Sequence, residues 1–105
     1  MSYRIVRTDT ADSEIRKIIL YLAENFGNDV ALEKLNQIEN GLQILADNPY
    51  AGIVPIYSVL KRQGYRVLIL PKNFAFYKVD DINEEVTIYS VVDQRQDYLS
   101  IIRGL

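Results

Sequence analysis

Apolar side chains recur at helical spacing through the first half of the chain and at alternate positions through its last third. Ala11, Ile15, Ile18, Ile19, Leu22 and Phe26 fall at intervals of three and four, which places them along one face of a helix. Thr8-Asp9-Thr10 ahead of them offers N-cap groups, Asp12 and Glu14 suit the positive end of the helix, and Gly27 is a natural stop. Asn28 is then read as the cap of a second helix, about Asp29 to Asp47, with the stripe Ala31, Leu35, Ile38, Leu42 and Leu45. Asn48-Pro49 ends it, because the residue before a proline disfavours helical backbone. Two stripes joined by so short a connection predict an antiparallel helix hairpin.

The period changes on either side of the hairpin. Tyr3 to Arg7 reads as a short first strand, and Tyr50 to Gly64, with Gly52, Pro55 and Gly64, reads as a long irregular loop. Three β-type runs follow, Tyr65–Leu70, Phe74–Val79 and Val86–Val92. Pro71-Lys72-Asn73 and the stretch from Asp80 to Glu85 join them, and connections of that length predict an antiparallel meander. Tyr65, Val67 and Ile69 face one way, and Arg66, Leu68 and Leu70 the other. Both faces are largely apolar. One is expected to cover the hairpin; the other is packed by the C-terminus or offered to a partner. Gln94 to Leu105 is a candidate last helix, through Tyr98, Ile101, Ile102 and Leu105. The expected fold is α+β, in the order β-α-α-β-β-β. An N-terminal strand and an antiparallel helix hairpin pack on a small, mainly antiparallel sheet, as one domain over residues 1–105.

Composition narrows the chemistry. Hydrophobic residues make up 49% of the 105 positions and charged residues 25%, an ordinary balance for a soluble globular chain. There is no Cys and no His, which removes disulfides, thiolate chemistry, the usual metal ligand and the usual base near neutral pH. No metal and no cofactor are expected. The opening MSYRIVRTDT does not read as a signal peptide, and apolar runs such as Val67–Leu70 are far too short to span a membrane. The expected compartment is the cytoplasm. Net charge is −2, which argues mildly against a dedicated nucleic-acid binder. The charge is uneven, however. Lys61, Arg62, Arg66, Lys72 and Lys78 stand between Tyr57 and Val79 with no acid among them. A local positive patch is one reading of that window; the solvated ends of strands are the other.

Gly64-Tyr65-Arg66, Phe76-Tyr77-Lys78-Val79-Asp80 and the run from Val86 to Tyr98, VTIYSVVDQRQDY, carry a family likeness. So do Tyr21-Leu22-Ala23-Glu24-Asn25-Phe26-Gly27 and the Asn48-Pro49-x-x-Gly52 break. Jointly they resemble the RelE/ParE superfamily of bacterial toxins, over nearly the whole chain. The resemblance implies the toxic partner of a type II toxin–antitoxin pair, neutralised by a small antitoxin that wraps it, in a toxin–antitoxin hetero-oligomer. It implies one of two targets: RelE-like members enter the ribosomal A site and cleave mRNA, and ParE-like members inhibit DNA gyrase.

The same resemblance assigns residues. RNA cleavage needs cations at the phosphate and help with a 2′-OH proton. Arg66 matches the first basic position of RelE-like members, but Leu68 stands where a second Lys is expected, and Phe74 or Ala75 where an Arg is expected. Arg95 matches the Arg after the last strand, and Tyr98 lies near the expected tail Tyr. Arg66, Arg95 and Tyr98 are thus the catalytic candidates of the RelE-like reading. Lys61, Arg62, Arg66, Lys72 and Arg95 are the candidate target contacts of either reading. Arginine is no base, and a phenol near pKa 10 is a poor one. Arg95-Gln96-Asp97 reproduces the Arg-x-Asp ending of ParE-like members, and with the acidic balance it favours that branch.

Each candidate also has a plainer role. Arg66 could be a strand-edge cation paired with an acid, Arg95 a cap on the last strand or a partner of Asp97, and Tyr98 an apolar anchor. Tyr57, Tyr65, Tyr77 and Tyr89 are expected to pack one ring face and show a hydroxyl to water. Tyr21, Leu32 and Ile44, left over on the hairpin, suit an antitoxin helix or strand. A non-toxic homologue that keeps only the antitoxin interface is the third reading.

Overall fold

The computed structural model describes residues 2–95. In chain order they form β1 (Arg4–Arg7), α1 (Asp9–Phe26), α2 (Asn28–Asp47), α3 (Ser58–Arg62), β2 (Arg66–Leu70), β3 (Asn73–Asp80) and β4 (Glu85–Asp93). The strands make one sheet in the order β1-β4-β3-β2. β3 lies between β2 and β4 and is antiparallel to both, and β1 lies parallel to β4 with Arg4 opposite Glu85. This is the expected α+β fold with a mainly antiparallel sheet. The candidate helix over Gln94–Leu105 lies outside the described residues beyond Arg95. No helix among the described residues is long and apolar enough to cross a membrane.

The start of α1 follows from its cap. Thr8 Oγ1 accepts the Ala11 N–H at 3.1 Å, and Asp9 and Asp12 occupy the first turn. Gly27 then serves both helices. At φ 97 it closes α1 by donating its N–H to the Ala23 carbonyl, and its own carbonyl accepts the Ala31 N–H of α2. The reversal takes a single residue, which needs a backbone that only glycine adopts without strain. Asn28 is therefore inside α2 and is not its cap; no side chain caps that end.

The hairpin lays Ala11, Ile15, Ile38, Leu42 and Leu45 on one face of the sheet, over Leu68, Leu70, Ala75, Tyr77 and Val86. Gly41 lets α2 approach β2 so closely that a Cβ there would stand 2.3 Å from Leu70 Cδ2. Glu14 ties α1 to β4: its Oε1 accepts Ser90 Oγ at 2.8 Å and the Val91 N–H at 3.2 Å. That contact lies beside a bulge, where Phe76 pairs with Ser90 but Tyr77 pairs with Ile88, leaving Tyr89 as the extra residue. Burial falls along α1, and Phe26, expected on its buried stripe, is 62% exposed. Beyond Ile19 the helix has run past the strands that could cover it, and Phe26 meets Tyr21 edge-on at 6.4 Å instead.

Two expectations for the second half need correction. Residues 50–64 are not irregular throughout, because Ser58–Arg62 close the short helix α3. The second sheet face is also not left to the C-terminus or a partner in its middle. Leu60 of α3 is fully buried there against Tyr65, Val67, Phe76 and Val92. Burying one leucine drives a five-residue helix that has no sequence period of its own. Tyr77, expected to show its hydroxyl, is fully buried in the main core.

Candidate functional site

The candidate residues gather at two separate places. At one end of β2, Arg66 is half-buried, and its Nη2 donates to the Gly52 carbonyl at 2.6 Å and to the Tyr50 carbonyl at 3.2 Å. Its guanidinium stacks 5.1 Å from the Tyr50 ring centre. Its Nε is buried with no partner among the described residues. No acid among the described residues pairs with it, so the plainer role is a latch on backbone carbonyls. The segment it holds is fixed from three further directions. Tyr77 Oη accepts the Gly52 N–H at 2.9 Å, Ile53 and Val67 exchange both backbone hydrogen bonds, and the Tyr50 hydroxyl donates to Asp81. Asp81 also accepts the Tyr3 hydroxyl at 2.7 Å. These two hydrogen bonds hold the Asp81 carboxyl below its usual range, and the Tyr3 phenol is pushed up to about 12, chiefly by the same bond. Lys61 and Arg62 sit nearby in sequence, exposed in the last turn of α3.

The opposite end of the sheet meets the turn end of the hairpin in a groove of ≈ 890 Å³. Tyr21, Phe26 and Val30 contribute its apolar wall. Lys17, Lys34, Lys72 and Arg95 contribute cations, against the carboxylates of Glu33 and Asp93. Lys72 is the tip of a two-residue hairpin turn and is held at φ 65, in the left-handed region that favours glycine. Asn73, read as part of that turn, is instead the first residue of β3 and is buried. Lys34 donates to the Pro71 carbonyl at 2.7 Å and so fastens the turn to α2. Burial pushes its ammonium below the usual lysine range, and Lys72 adds to that. Arg95 is almost fully exposed and lies along Asp93, with Nε on Oδ1 and Nη2 on Oδ2, each at 3.0 Å. Its plainer role is thus a pair with Asp93.

Arg66 pairs with Tyr77 in the sheet register, while Asn73 pairs with Asp93, just before Arg95. Four strand residues separate these levels, about 13 Å. At these separate levels Arg66 is turned to the Gly52 and Tyr50 carbonyls and Arg95 lies along Asp93, and Tyr98 lies outside the described residues. Leu68 and Ala75 are buried under the hairpin, and Phe74 is half-buried. The groove brings in Lys17 and Lys34, which the sequence reading passed over. They flank the apolar stripes of α1 and α2, where a charge is more often only solvated.

Residues 5–98 match the family described as the ParE toxin of the type II toxin–antitoxin system parDE. No curated protein matches the chain. Among solved structures, the fold is similar to the chromosomal ParDE toxin–antitoxin system from P. aeruginosa. There the TM-score is 0.72 at 20% identity, covering 88% of this chain and 96% of the other. It is also similar to the toxin–antitoxin complex RelBE2 from Mycobacterium tuberculosis, with TM-score 0.68, 16% identity and coverage of 91% and 95%. The isolated E. coli RelE toxin gives 0.59 at 17% identity, covering 99% of this chain and all of that one. At such identities the structural likeness is one of fold.

Proposed function

Because the chain belongs to the family of ParE toxins of type II toxin–antitoxin systems, we propose that it arrests growth when free by inhibiting DNA gyrase and is neutralised by a cognate antitoxin. The family match over residues 5–98 carries this reading. The geometry supports a protein target over RNA cleavage. Arg66 is committed to loop carbonyls, and the positions where an RNase would place further cations hold buried Leu68 and Ala75 and half-buried Phe74. Nor is a base poised near neutral pH among the described tyrosines with shifted pKa values. Tyr3, Tyr50 and Tyr65 all shift upward: the first two chiefly through hydrogen bonds to Asp81, the third through burial. Lys61, Arg62, Lys72 and Arg95 then act as contacts to the target rather than as catalysts.

The antitoxin half of the proposal rests on apolar surface the hairpin leaves open. Tyr21, Leu32 and Ile44 are each more than half exposed, and Tyr21 also walls the groove. The P. aeruginosa and M. tuberculosis structures of this fold are a toxin–antitoxin system and complex.

A supercoiling assay with purified protein tests the target. Dose-dependent inhibition is expected, and no inhibition at large molar excess rejects it. A-site cuts seen by primer extension on translating mRNA would establish the RelE-like alternative. Normal growth after induction without antitoxin would establish a non-toxic homologue.

A further inference from the structure

The second sheet face carries an exposed apolar surface that neither the core nor the groove uses. Ile53 lies opposite Val67 across the isolated bridge, and Ile69 follows two residues on in β2, so both side chains stand on the face covered by α3. They are 51% and 56% exposed, and Ile56, in the segment leading into α3, is 87% exposed. Val59 of α3 adds a further half-exposed apolar side chain. Every charge nearby in sequence is positive, since no acid stands between Tyr57 and Val79. Lys78 lies on this face, 4.4 Å from the Tyr65 ring centre and 5.3 Å from that of Tyr89. Ion pairs among the described residues engage Arg4, Arg7 and Arg95, and leave Lys61 and Arg62 of α3 without one.

We infer that α3, Ile56 and the open edge of β2 at Ile69 form the surface that docks the protein target, through an acidic patch with apolar side chains on the gyrase, and that Arg66 positions this surface. The inference rests on the gyrase reading and adds where the contact is made. Apolar side chains ringed by cations with no competing acid match a partner that is apolar at its centre and carboxylate-rich at its rim. Ile53, Ile56, Val59 and Ile69 are aliphatic tips that offer bases no stacking platform, which favours protein over RNA. The outward backbone N–H and C=O of Ile69 continue the edge that Ile53 occupies at Val67. Arg66 makes the surface rigid before contact. Its hold on the Tyr50 and Gly52 carbonyls, with the Tyr77 hydroxyl on the Gly52 N–H, pins the chain one residue before Ile53. Little ordering is then left to oppose binding.

The test titrates immobilised gyrase with the unsubstituted protein, Ile56→Asp, the double variant Lys61→Glu/Arg62→Glu, Arg66→Gln, and, as a control, Ile82→Asp in the exposed turn between β3 and β4. Supercoiling inhibition and the thermal midpoint are measured for each. Ile56→Asp and the double variant are expected to weaken gyrase binding by about tenfold or more with an unmoved midpoint, because their side chains are exposed. Arg66→Gln is expected to weaken binding and also to speed amide exchange at Ile53, a readout that a contact residue alone would not move. Ile82→Asp should bind gyrase as the unsubstituted protein does. If the unsubstituted protein binds gyrase and Ile56→Asp and the double variant bind it equally, the surface is wrong and the gyrase reading stands. Equal weakening by Ile82→Asp also overturns the surface. If the unsubstituted protein does not bind gyrase, both fall. Loss of mRNA cleavage in these variants would make the face an RNA site and overturn the protein partner.

Discussion

The hydroxyl of Tyr77, in the middle of the core, accepts the amide N–H of Gly52 at 2.9 Å. A buried phenol thereby fixes the segment that leads to α3. Tyr77→Phe would leave that buried N–H without a partner while keeping the ring. The expected cost is about 1–3 kcal/mol. Urea unfolding should show a lower midpoint with an unchanged slope.

Gly52→Ala should cost more than Gly41→Ala. A Cβ at residue 52 would meet the Val67 carbonyl oxygen and the Tyr77 hydroxyl, both at 2.6 Å, and the first is strand backbone. At residue 41 the obstacle is Leu70 Cδ2, the end of a side chain that can rotate away. Chemical denaturation of the two variants side by side checks the order, and pairing Gly41→Ala with Leu70→Val should recover part of its loss.

Arg95→Ala is expected to relieve growth arrest with no change in thermal midpoint. Its side chain is 91% exposed and its carboxylate partner among the described residues, Asp93, is two residues away, so a surface pair of this kind contributes little to stability. Induction from a regulated promoter without antitoxin is the measurement. Full toxicity of the variant would remove Arg95 from the target contacts.

Lys72→Gly should stabilise the fold while weakening the activity. A lysine at φ 65 carries a backbone penalty of about 1 kcal/mol that glycine avoids. A raised unfolding midpoint together with reduced growth arrest would show that the charge at the turn tip is kept for contact.

Stability should fall at both pH extremes through one cluster. The Tyr3 phenol titrates higher in the folded protein, at about 12, than the ordinary value near 10. Its contribution is complete below pH 10 and is lost as pH rises from 10 through about 12. The Asp81 carboxyl is depressed, so its contribution is present above its ordinary range and is lost as pH falls through the folded value. In Tyr3→Phe both the alkaline and the acid loss should shrink but persist, because Tyr50 still donates to Asp81 and both Tyr50 and Tyr65 are also raised. Unfolding free energy measured across both limbs checks the signs.

The helix hairpin and meander were legible because their periods are long and their stops are strong. Thr8, Gly27 and Pro49 mark helix ends by backbone chemistry that operates locally, and alternating Val67, Leu68 and Leu70 mark a strand buried on two faces. α3 was not legible, since five residues hold no period and its cause is a distant hole that Leu60 fills. The candidate site was read only in part. Lys61, Arg62, Lys72 and Arg95 stand exposed, as charged side chains at a surface ordinarily do. The latch role of Arg66 was hidden because its partners are backbone carbonyls fourteen and sixteen residues away, which carry no sequence signal. The groove was hidden because Lys17 and Lys34 acquire a common neighbourhood only when the hairpin meets the β2–β3 turn.

The pairing of β1 with β4 also orders events in time. Arg4 to Arg7 are made well before their partners, Glu85 to Ile88. Closing a loop of that length is slow beside the local closure of the α1–α2 hairpin. A nascent chain can therefore form its helices early but holds β1 unpaired until Glu85 to Ile88 have been made. The sheet that carries Arg66 and leads into Arg95 is complete only then, so products truncated before β4 should lack the folded sheet.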